Sequence, residues 1–195
     1  MACKKIVVIG PESTGKSTLC EGLAAHYHTE WVREYAREYL QTHGMEYTYD
    51  DLSTIARGQL ALEDAAMGAA GERDSAQEAG RNARTAPTGD RVLFIDTDLY
   101  VMKIWSEYVF GRCETWILKE IVERHYDGYL LCRTDLSWAD DPLREYPDLA
   151  TREKLFHIYR DLLINQNVPW VEVGGEGEHR LKNAIEAVAR MTRAR

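Results

Sequence analysis

The segment that most constrains this chain is an eight-residue loop near its N-terminus. Residues 10–17 read Gly-Pro-Glu-Ser-Thr-Gly-Lys-Ser and fit the pattern G-x-x-x-x-G-K-[ST]. An apolar, β-branched run at 5–9 precedes this loop, and a helical pattern over 16–27 follows it. In a strand–loop–helix arrangement of this kind, the glycines allow successive backbone N–H groups to converge on one anion.

The loop therefore predicts a site for nucleotide phosphates and magnesium, and we refer to residues 10–17 as the phosphate loop, or P-loop. A helix that begins near Lys16 would direct the positive end of its dipole at the phosphates. Lys16 would reach the β- and γ-phosphates, and the Ser17 hydroxyl would join the Mg²⁺ ligands. The residues expected to contact the nucleotide are Gly10, Glu12, Ser13, Thr14, Gly15, Lys16, Ser17 and Thr18.

A phosphate loop indicates a ligand class and not a reaction, because it occurs in kinases, GTPases, motor proteins and transporters. GTPases usually carry Asn-Lys-x-Asp at a strand end, whereas the fourth apolar run here continues Cys132-Arg133-Thr134-Asp135. This difference favours ATP. A chain of 195 residues leaves little room for the extra elements of an oligomeric ATPase, and small domains of this kind are often metabolite kinases.

Strand-like and helix-like segments alternate along the chain. Strands are predicted at 5–9, 30–34, 91–96, 128–132 and 169–173, and helices at 16–27, 50–62, 99–108, 115–124, 150–165 and 179–191. Asp50 is the expected cap of the second helix, and residues 65–89 are expected to continue a helix and then fray. The pattern predicts an α/β fold of the P-loop kinase type. We expect one domain over 1–195, a three-layer αβα sandwich with a five-stranded, mostly parallel sheet.

Charge and composition exclude several classes of protein. Lys plus Arg number 24 and Asp plus Glu number 32, a formal charge of −8, so binding to nucleic acid is not expected. No apolar run approaches the roughly 18 residues of a membrane span, and the N-terminus has no signal-peptide pattern. Four cysteines without a CxxC pair favour reduced thiols. We therefore expect a cytoplasmic protein with no membrane partner; no pattern indicates its oligomeric state.

Carboxylates follow two of the predicted strands. Asp96 ends the apolar run 92–95, and Asp98 comes two residues later. Ligands of parallel α/β sheets bind beyond the carboxyl ends of the strands, where Asp96 could hold Mg²⁺ or act in catalysis. Asp98 is either a substrate ligand or simply the N-cap of the helix that follows.

The second strand ends in a charged segment that is the candidate acceptor side of the site. Glu34 could accept the proton of an acceptor hydroxyl, and it competes with Asp96 for the role of general base. The neighbouring charges could instead form a solvated helix face, but the like charges at i,i+4 fit such an array poorly. The predicted substrate residues of this segment are Arg33, Glu34, Tyr35 and Arg37.

A polar stretch over 133–149 is a candidate lid. Catalytic lids close over phosphates and supply arginines to the transition-state charge, and Arg144 and Arg152 are the candidates. Asp135 and Trp138 are predicted substrate contacts, with Trp138 either covering an aromatic base or serving as a partly buried anchor. Gly174, after the last strand, is predicted to pack against adenine, although it could equally form a plain turn.

Taken together, these motifs resemble the ribosylnicotinamide kinase domain of the NadR family. The resemblance spans nearly the whole chain, and the Pro-Glu-Ser-Thr interior of the loop is its most specific part. The matching segments are 10–19, 33–39, 55–59 (Ile-Ala-Arg-Gly-Gln), 96–98 (Asp-Thr-Asp), Arg144 and Arg152-Glu153.

This resemblance implies transfer of the γ-phosphoryl group of ATP to the 5′-hydroxyl of nicotinamide riboside, giving nicotinamide mononucleotide. By the same resemblance, Lys16 and Ser17 hold phosphates and Mg²⁺, Glu34 and Asp96 lie at the acceptor side, and Arg144 belongs to the lid. Full-length family members precede this domain with helix-turn-helix and adenylyltransferase segments, so transcriptional repression and adenylyl transfer are not expected here.

The lid departs from the family pattern, because Ser137 precedes Trp138 and Pro142 replaces a glycine, which stiffens the loop. Two alternatives to a nicotinamide riboside kinase therefore stand. One is a kinase of another nucleoside or nucleotide, and the other is a non-catalytic, ATP-binding regulatory module.

Overall fold

The structure is a computed structural model that describes residues 3–79 and 91–193. Its elements alternate between strands and helices. In chain order they are β1 (Lys4–Ile9), α1 (Lys16–Tyr27), β2 (Trp31–Val32), α2 (Tyr35–His43), α3 (Tyr49–Ala79), β3 (Val92–Asp96), α4 (Leu99–Phe110), α5 (Thr115–Glu123), β4 (Gly128–Cys132), α6 (Leu149–Ile164), β5 (Trp170–Val173) and α7 (Gly177–Arg193).

The strands form one parallel sheet in the order β2-β3-β1-β4-β5. Residues alternate between its two faces: Ile6 and Val8 of β1 pack into one core with α1 and α7, and Val7 and Ile9 pack into the other with α4 and α6. Because both faces are covered, the strands are apolar without interruption. The α/β sandwich expected from the sequence is therefore confirmed.

The sheet places the carboxyl ends of β1 and β3 side by side. Val8 is in register with Asp96, and Thr97 N–H donates to the Val8 carbonyl at 3.1 Å. The loop that follows β1 and the carboxylate that ends β3 consequently meet at one edge. This adjacency positions the site.

Two local predictions need correction. Residues 35–43, which were not among the predicted helices, form the helix α2, in which Ala36, Tyr39 and Leu40 bury one helical face. Helix α3 begins at Tyr49, so Asp50 lies inside it; the cap is Thr48, whose hydroxyl and N–H exchange hydrogen bonds with Asp51. The helix that was expected to continue beyond residue 65 does so as far as Ala79, and the predicted fraying lies among residues 80–90, outside the described residues.

Residues 133–148 form neither helix nor strand, and they connect β4 to α6 where the lid was predicted. Among the helices that the structure describes, we find none with the length and apolar character needed to cross a membrane.

Candidate active site

A cavity of about 190 Å³ opens at the carboxyl edge of the sheet. The phosphate loop and the start of α1 line one end of it, including all eight residues predicted to contact the nucleotide. The remainder is lined by Glu34 and Arg37, which follow β2, by aromatic residues of α4, and by Arg144 of the lid. One continuous space therefore joins the predicted phosphate site to the predicted acceptor side.

Glycines fit the phosphate loop tightly against the sheet. Gly10 has φ +143°, and a Cβ there would lie 2.8 Å from the Cys132 carbonyl oxygen. Gly15 has φ +73° and stands at the N-cap of α1, with no side chain capping the helix. No side chain at the N-cap therefore competes for the first amides of α1, which are the groups that the sequence analysis predicts to bind phosphate.

Two buried arginines support the loop from behind. Arg152 Nη1 donates to the Ser13 carbonyl at 3.4 Å, and Arg180 Nη2 donates to the Thr14 carbonyl at 2.7 Å. Each arginine is only 4% exposed. These bonds fix two carbonyls of the loop and do not involve its amides. The sequence analysis named Arg152 as a lid arginine for the transition state, but it is buried beside the loop and does not line the cavity. No sequence signal marks Arg180, which is 166 residues away from Thr14.

Ser17 and Asp96 meet at the helix end of the loop. The Ser17 hydroxyl donates to Asp96 Oδ2 at 2.5 Å. Asp96 is fully buried, and its Oδ1 has no hydrogen-bond partner. Burial, together with the negative charge of Glu34, raises the pKa of Asp96 to about 7. A buried carboxylate oxygen without a hydrogen-bond partner is costly, so the Ser17–Asp96 pair fits a bound cation.

Magnesium fits that position. A hydroxyl and one carboxylate oxygen are the hard ligands that Mg²⁺ takes from P-loop proteins, with phosphates and water completing the shell. Within residues 3–79 and 91–193, no group of three or more His, Cys, Asp or Glu could hold a metal ion by itself. The arrangement therefore suits a cation that arrives with a nucleotide.

Glu34 faces the cavity from the start of α2. It occupies the N-cap position of that helix, but its side chain makes no capping hydrogen bond. Arg37, one turn along, pairs with Asp141 of the lid at 2.7 Å. The two carboxylates that competed for one role are thus placed differently: Glu34 lines the cavity, and Asp96 lies beneath Ser17.

Aromatic side chains line the acceptor end of the cavity, and the sequence analysis missed them. Trp105 and Tyr108 come from α4, and Tyr146 comes from the lid. The rings of Tyr108 and Tyr146 meet edge to face at 5.4 Å. A signal for two of them exists: Val101, Ile104, Trp105 and Tyr108 share one helical face directly after the Asp96–Asp98 strand end.

The lid rests on the phosphate loop. Glu12 Oε2 accepts from the N–H groups of Glu145 and Tyr146 at 2.9 and 3.0 Å, and burial raises the pKa of Glu12. Ala139 N–H donates to the Ser13 hydroxyl at 3.0 Å, and Arg144 reaches the same hydroxyl at 3.5 Å. The side chains of Glu12 and Ser13, which were predicted to contact nucleotide, thus also hold the lid.

Three predicted substrate residues do not line this cavity. Asp98 is 3% exposed and caps α4: it accepts from Tyr100 N–H, and its second oxygen accepts from the Tyr129 hydroxyl, each at 2.9 Å. Of its two predicted alternatives, the structure shows the cap. Arg33 is exposed above the Trp31 ring, and Tyr35 packs against α3. Neither side chain lines the cavity.

Three further predicted contacts, which come from the residues after β4 and β5, also lie outside the cavity. Asp135 binds Arg180 at 2.9 Å and the Gly175 N–H at 2.7 Å, so it ties the end of β4 to the turn after β5. Gly174 packs against Asp135. Trp138 lies between Arg144 and Arg152, whose guanidinium carbons are 5.8 and 5.7 Å from its ring centroid. The structure shows Trp138 as a partly buried anchor of the lid.

A family model described as an AAA domain matches residues 5–180. The trifunctional NAD biosynthesis/regulator protein NadR of Escherichia coli K12 is 27% identical over 193 residues, which cover 96% of this chain and 42% of that protein. NadR of Salmonella typhimurium LT2 is 26% identical over the same shares. The chain therefore spans less than half the length of these curated relatives. The resemblance to NadR is confirmed.

Solved structures share the fold. NadR in complex with NR superposes with a TM-score of 0.72 at 22% identity, covering 99% of this chain and 52% of that one. NadR with NAD and AMP-PNP gives 0.69 at 21%, covering 99% and 50%. Deoxyadenosine kinase from M. mycoides, with dCMP and dCDP as products, gives 0.52 at 14%, covering 95% and 99%. At these identities the likeness concerns the fold, which is of the P-loop kinase type.

Proposed function

The chain belongs to the AAA domain family, and from that premise we propose that it is an ATP-dependent nucleoside kinase whose acceptor is nicotinamide riboside. The product would be nicotinamide mononucleotide, phosphorylated at the 5′-hydroxyl. One observation carries the proposal: a single cavity has the phosphate loop at one end and Glu34 with an aromatic wall at the other. A protein that only bound or hydrolysed ATP would not need the second end.

At the nucleotide end, the free amides at the start of α1 and Lys16 would hold the β- and γ-phosphates. Lys16 Nζ now donates to the Pro11 carbonyl at 3.0 Å, and it would exchange that partner for a phosphate. Ser17 and Asp96 would hold magnesium, which neutralises charge on the phosphates when it is bound. Arg144, at the rim of the loop, would face the charge that develops on the transferred group.

At the acceptor end, Glu34 would act as the general base. It would accept the proton of the 5′-hydroxyl while that oxygen bonds to the γ-phosphorus and the bond to the β-phosphate oxygen breaks, releasing ADP. Asp96 is a poor candidate for this role because it is fully buried under Ser17. Most of the acceleration would come from positioning and charge stabilisation, since phosphoryl transfer needs little covalent help.

The acceptor is inferred from the wall of the cavity and from the relatives. Trp105, Tyr108 and Tyr146 offer ring surfaces to a flat base, and Glu34 and Arg37 offer polar partners to a ribose. The same fold is seen in NadR with NR bound. ATP as donor is supported by the NadR structure that contains AMP-PNP. Location in the cytoplasm stays a prediction.

The deciding experiment incubates the purified chain with Mg-ATP and nicotinamide riboside and measures nicotinamide mononucleotide by mass spectrometry. A panel of nucleosides is run beside it with ADP release as the signal. Mononucleotide from the riboside, at a higher kcat/KM than from any other acceptor, supports the proposal. Preference for another nucleoside would show that the acceptor is wrong, and slow hydrolysis that no acceptor stimulates would indicate a regulatory module.

A further inference from the structure

The start of α2 has an unusual arrangement. Glu34 stands at the N-cap position with φ −67° and ψ 112°, but its carboxylate does not cap the helix. The first helical N–H, that of Tyr35, needs a partner nevertheless. Gln59 supplies it from α3: its Oε1 accepts from Tyr35 N–H at 2.8 Å. Gln59 thus holds the first amide of α2, while the Glu34 carboxylate makes none of the bonds to the second or third amide that an N-cap side chain normally makes.

The other end of the Gln59 amide contacts both carboxylate-bearing segments. Its Nε2 lies 3.4 Å from the Arg33 carbonyl and 3.4 Å from the Asp96 carbonyl. Gln59 is only 2% exposed, so these backbone groups are its partners in place of water. One side chain thus bonds the main chain on both sides of Glu34 and joins it to the end of β3.

The neighbouring glycine explains how α3 comes close enough. A Cβ on Gly58 would overlap the ring of Tyr35. Only a residue without a side chain lets the α3 backbone pack directly on that ring. The Arg-Gly-Gln sequence at 57–59, part of the segment that resembled the NadR family, therefore has a physical reason in this fold.

We propose that Gln59 is a positioning residue for Glu34. It binds the main chain on both sides of Glu34, at the Arg33 carbonyl and the Tyr35 N–H, and fixes that main chain relative to the Asp96 carbonyl, so that the Glu34 carboxylate stays directed at the cavity. This inference rests on the proposed function, because it assigns Glu34 the acceptor proton. It adds a residue that contacts neither nucleotide nor acceptor.

The first test replaces Gln59 by methionine, which keeps the length of the side chain and removes all three hydrogen bonds. We expect kcat to fall about tenfold or more, the equivalent of one lost hydrogen bond, with KM for ATP within about twofold of wild type because the phosphate loop is untouched. Gln41→Met is the matched control, since Gln41 is exposed on α2; it should leave both constants unchanged. Equal kcat in Gln59→Met and wild type would overturn the proposal.

The second test separates positioning from general destabilisation. Gln59→Met is combined with Glu34→Gln, and kcat is measured for both single variants and the double variant. If Gln59 acts through Glu34, the double variant will be no slower than Glu34→Gln alone. Multiplying losses would show that Gln59 acts on something else. Gln59→Asn, one methylene shorter, is made in parallel so that the cycle can be run if the methionine variant fails to fold.

A crystal structure of Gln59→Met tests the role of Gln59 separately from the proposed function. The kinetic tests use whichever acceptor wild type phosphorylates, so a wrong acceptor does not affect them. If wild type phosphorylates no acceptor, the structure decides: a Glu34 carboxylate turned from the cavity toward the N–H groups of Ala36 and Arg37 supports positioning by Gln59. An unmoved Glu34 would refute it.

Discussion

The two ends of the cavity are built in different ways. The phosphate end consists of consecutive residues whose backbone amides, glycines and helix start all come from one stretch of chain. The acceptor end combines side chains from α2, α4 and the lid, more than 100 positions apart from Glu34 to Tyr146. A backbone-built site is specified locally, whereas a side-chain site depends on how distant elements pack.

This difference has a chemical counterpart. A triphosphate is recognised by main-chain N–H groups and one lysine, which every protein with this loop can offer. An acceptor must be recognised by its own shape, and here the wall contains Trp105, Tyr108 and Tyr146. The phosphate end should therefore control whether phosphoryl transfer occurs, and the acceptor end should control to which molecule it occurs.

The largest effect is expected at the phosphate end. Lys16→Ala should lower kcat by about 10²–10³-fold or more, the cost of removing one preorganised donor to transition-state charge. The fold should persist, because Lys16 lines the cavity and its Nζ donates to the Pro11 carbonyl of the same loop. Steady-state turnover and circular dichroism check both parts, with Lys119→Ala, 69% exposed on α5, as control. Retained activity in a folded Lys16→Ala protein would refute the loop assignment.

The next largest effects are expected at two carboxylates: Asp96, which belongs to the phosphate end of the cavity, and Glu34, which belongs to the acceptor end. Glu34→Gln should lower kcat about 10²-fold, the lower end of the range for a general base because phosphoryl transfer depends mainly on positioning and charge, at every magnesium concentration. Asp96→Asn should also be slow, but raising magnesium should restore part of its activity because it weakens a metal site. Magnesium titrations of turnover distinguish the two. Rescue of Glu34→Gln by magnesium would reverse the assignments.

Trp105→Leu should change acceptor use and leave nucleotide use intact. Losing one aromatic contact to a flat base is worth about 0.5–1.5 kcal/mol, so KM for the acceptor should rise about three- to tenfold while KM for ATP stays constant. Trp116→Leu is the matched control: Trp116 bonds Ser53 and is stacked on Arg57 outside the cavity. A change in KM for ATP alone would place Trp105 at the nucleotide and contradict the division into two ends.

Glu12 tests how the lid is coupled to the phosphate loop. Because one oxygen accepts both lid N–H groups, Glu12→Gln can keep the contact and should raise KM for ATP less than about twofold. Glu12→Ala cannot, and KM should rise about tenfold, the value of one hydrogen bond. An equal rise in KM for ATP in the two variants would mean that the negative charge of Glu12 matters and its contact with the lid does not.

The smallest effect on activity is expected at Asp98. Asp98→Ala should lower the free energy of unfolding by about 1–3 kcal/mol, because it leaves the buried Tyr129 hydroxyl unsatisfied, and by about 1 kcal/mol more for the lost cap. Urea unfolding measures this loss. The KM for the acceptor should not change at a temperature where the variant is folded; a large increase would return Asp98 to the list of substrate ligands.

Much of the fold was predictable because it depends on short-range patterns in the sequence. The uninterrupted apolar run before Gly10, the glycine spacing up to Lys16 and the helix after it are consequences of neighbouring residues. The alternation of strands and helices then leaves a parallel sheet as the arrangement that buries every run. From this sheet it follows that Asp96 lies beside the loop, and the structure bears that out at 2.5 Å from Ser17.

What the tertiary structure alone decided is the partner of each polar side chain. The sequence is compatible with Asp98 as a substrate ligand or as a helix cap. The structure shows that it accepts hydrogen bonds from the Tyr100 N–H and the Tyr129 hydroxyl. Gln59 is an unremarkable helical residue until α3 packs on Tyr35 and brings its amide between Glu34 and Asp96. Arg180 reaches the phosphate loop from the last helix. Each of these side chains has several donors or acceptors and could bind several partners. Packing of distant elements decides which partners it binds, because it buries the side chain beside one set of groups and keeps water away.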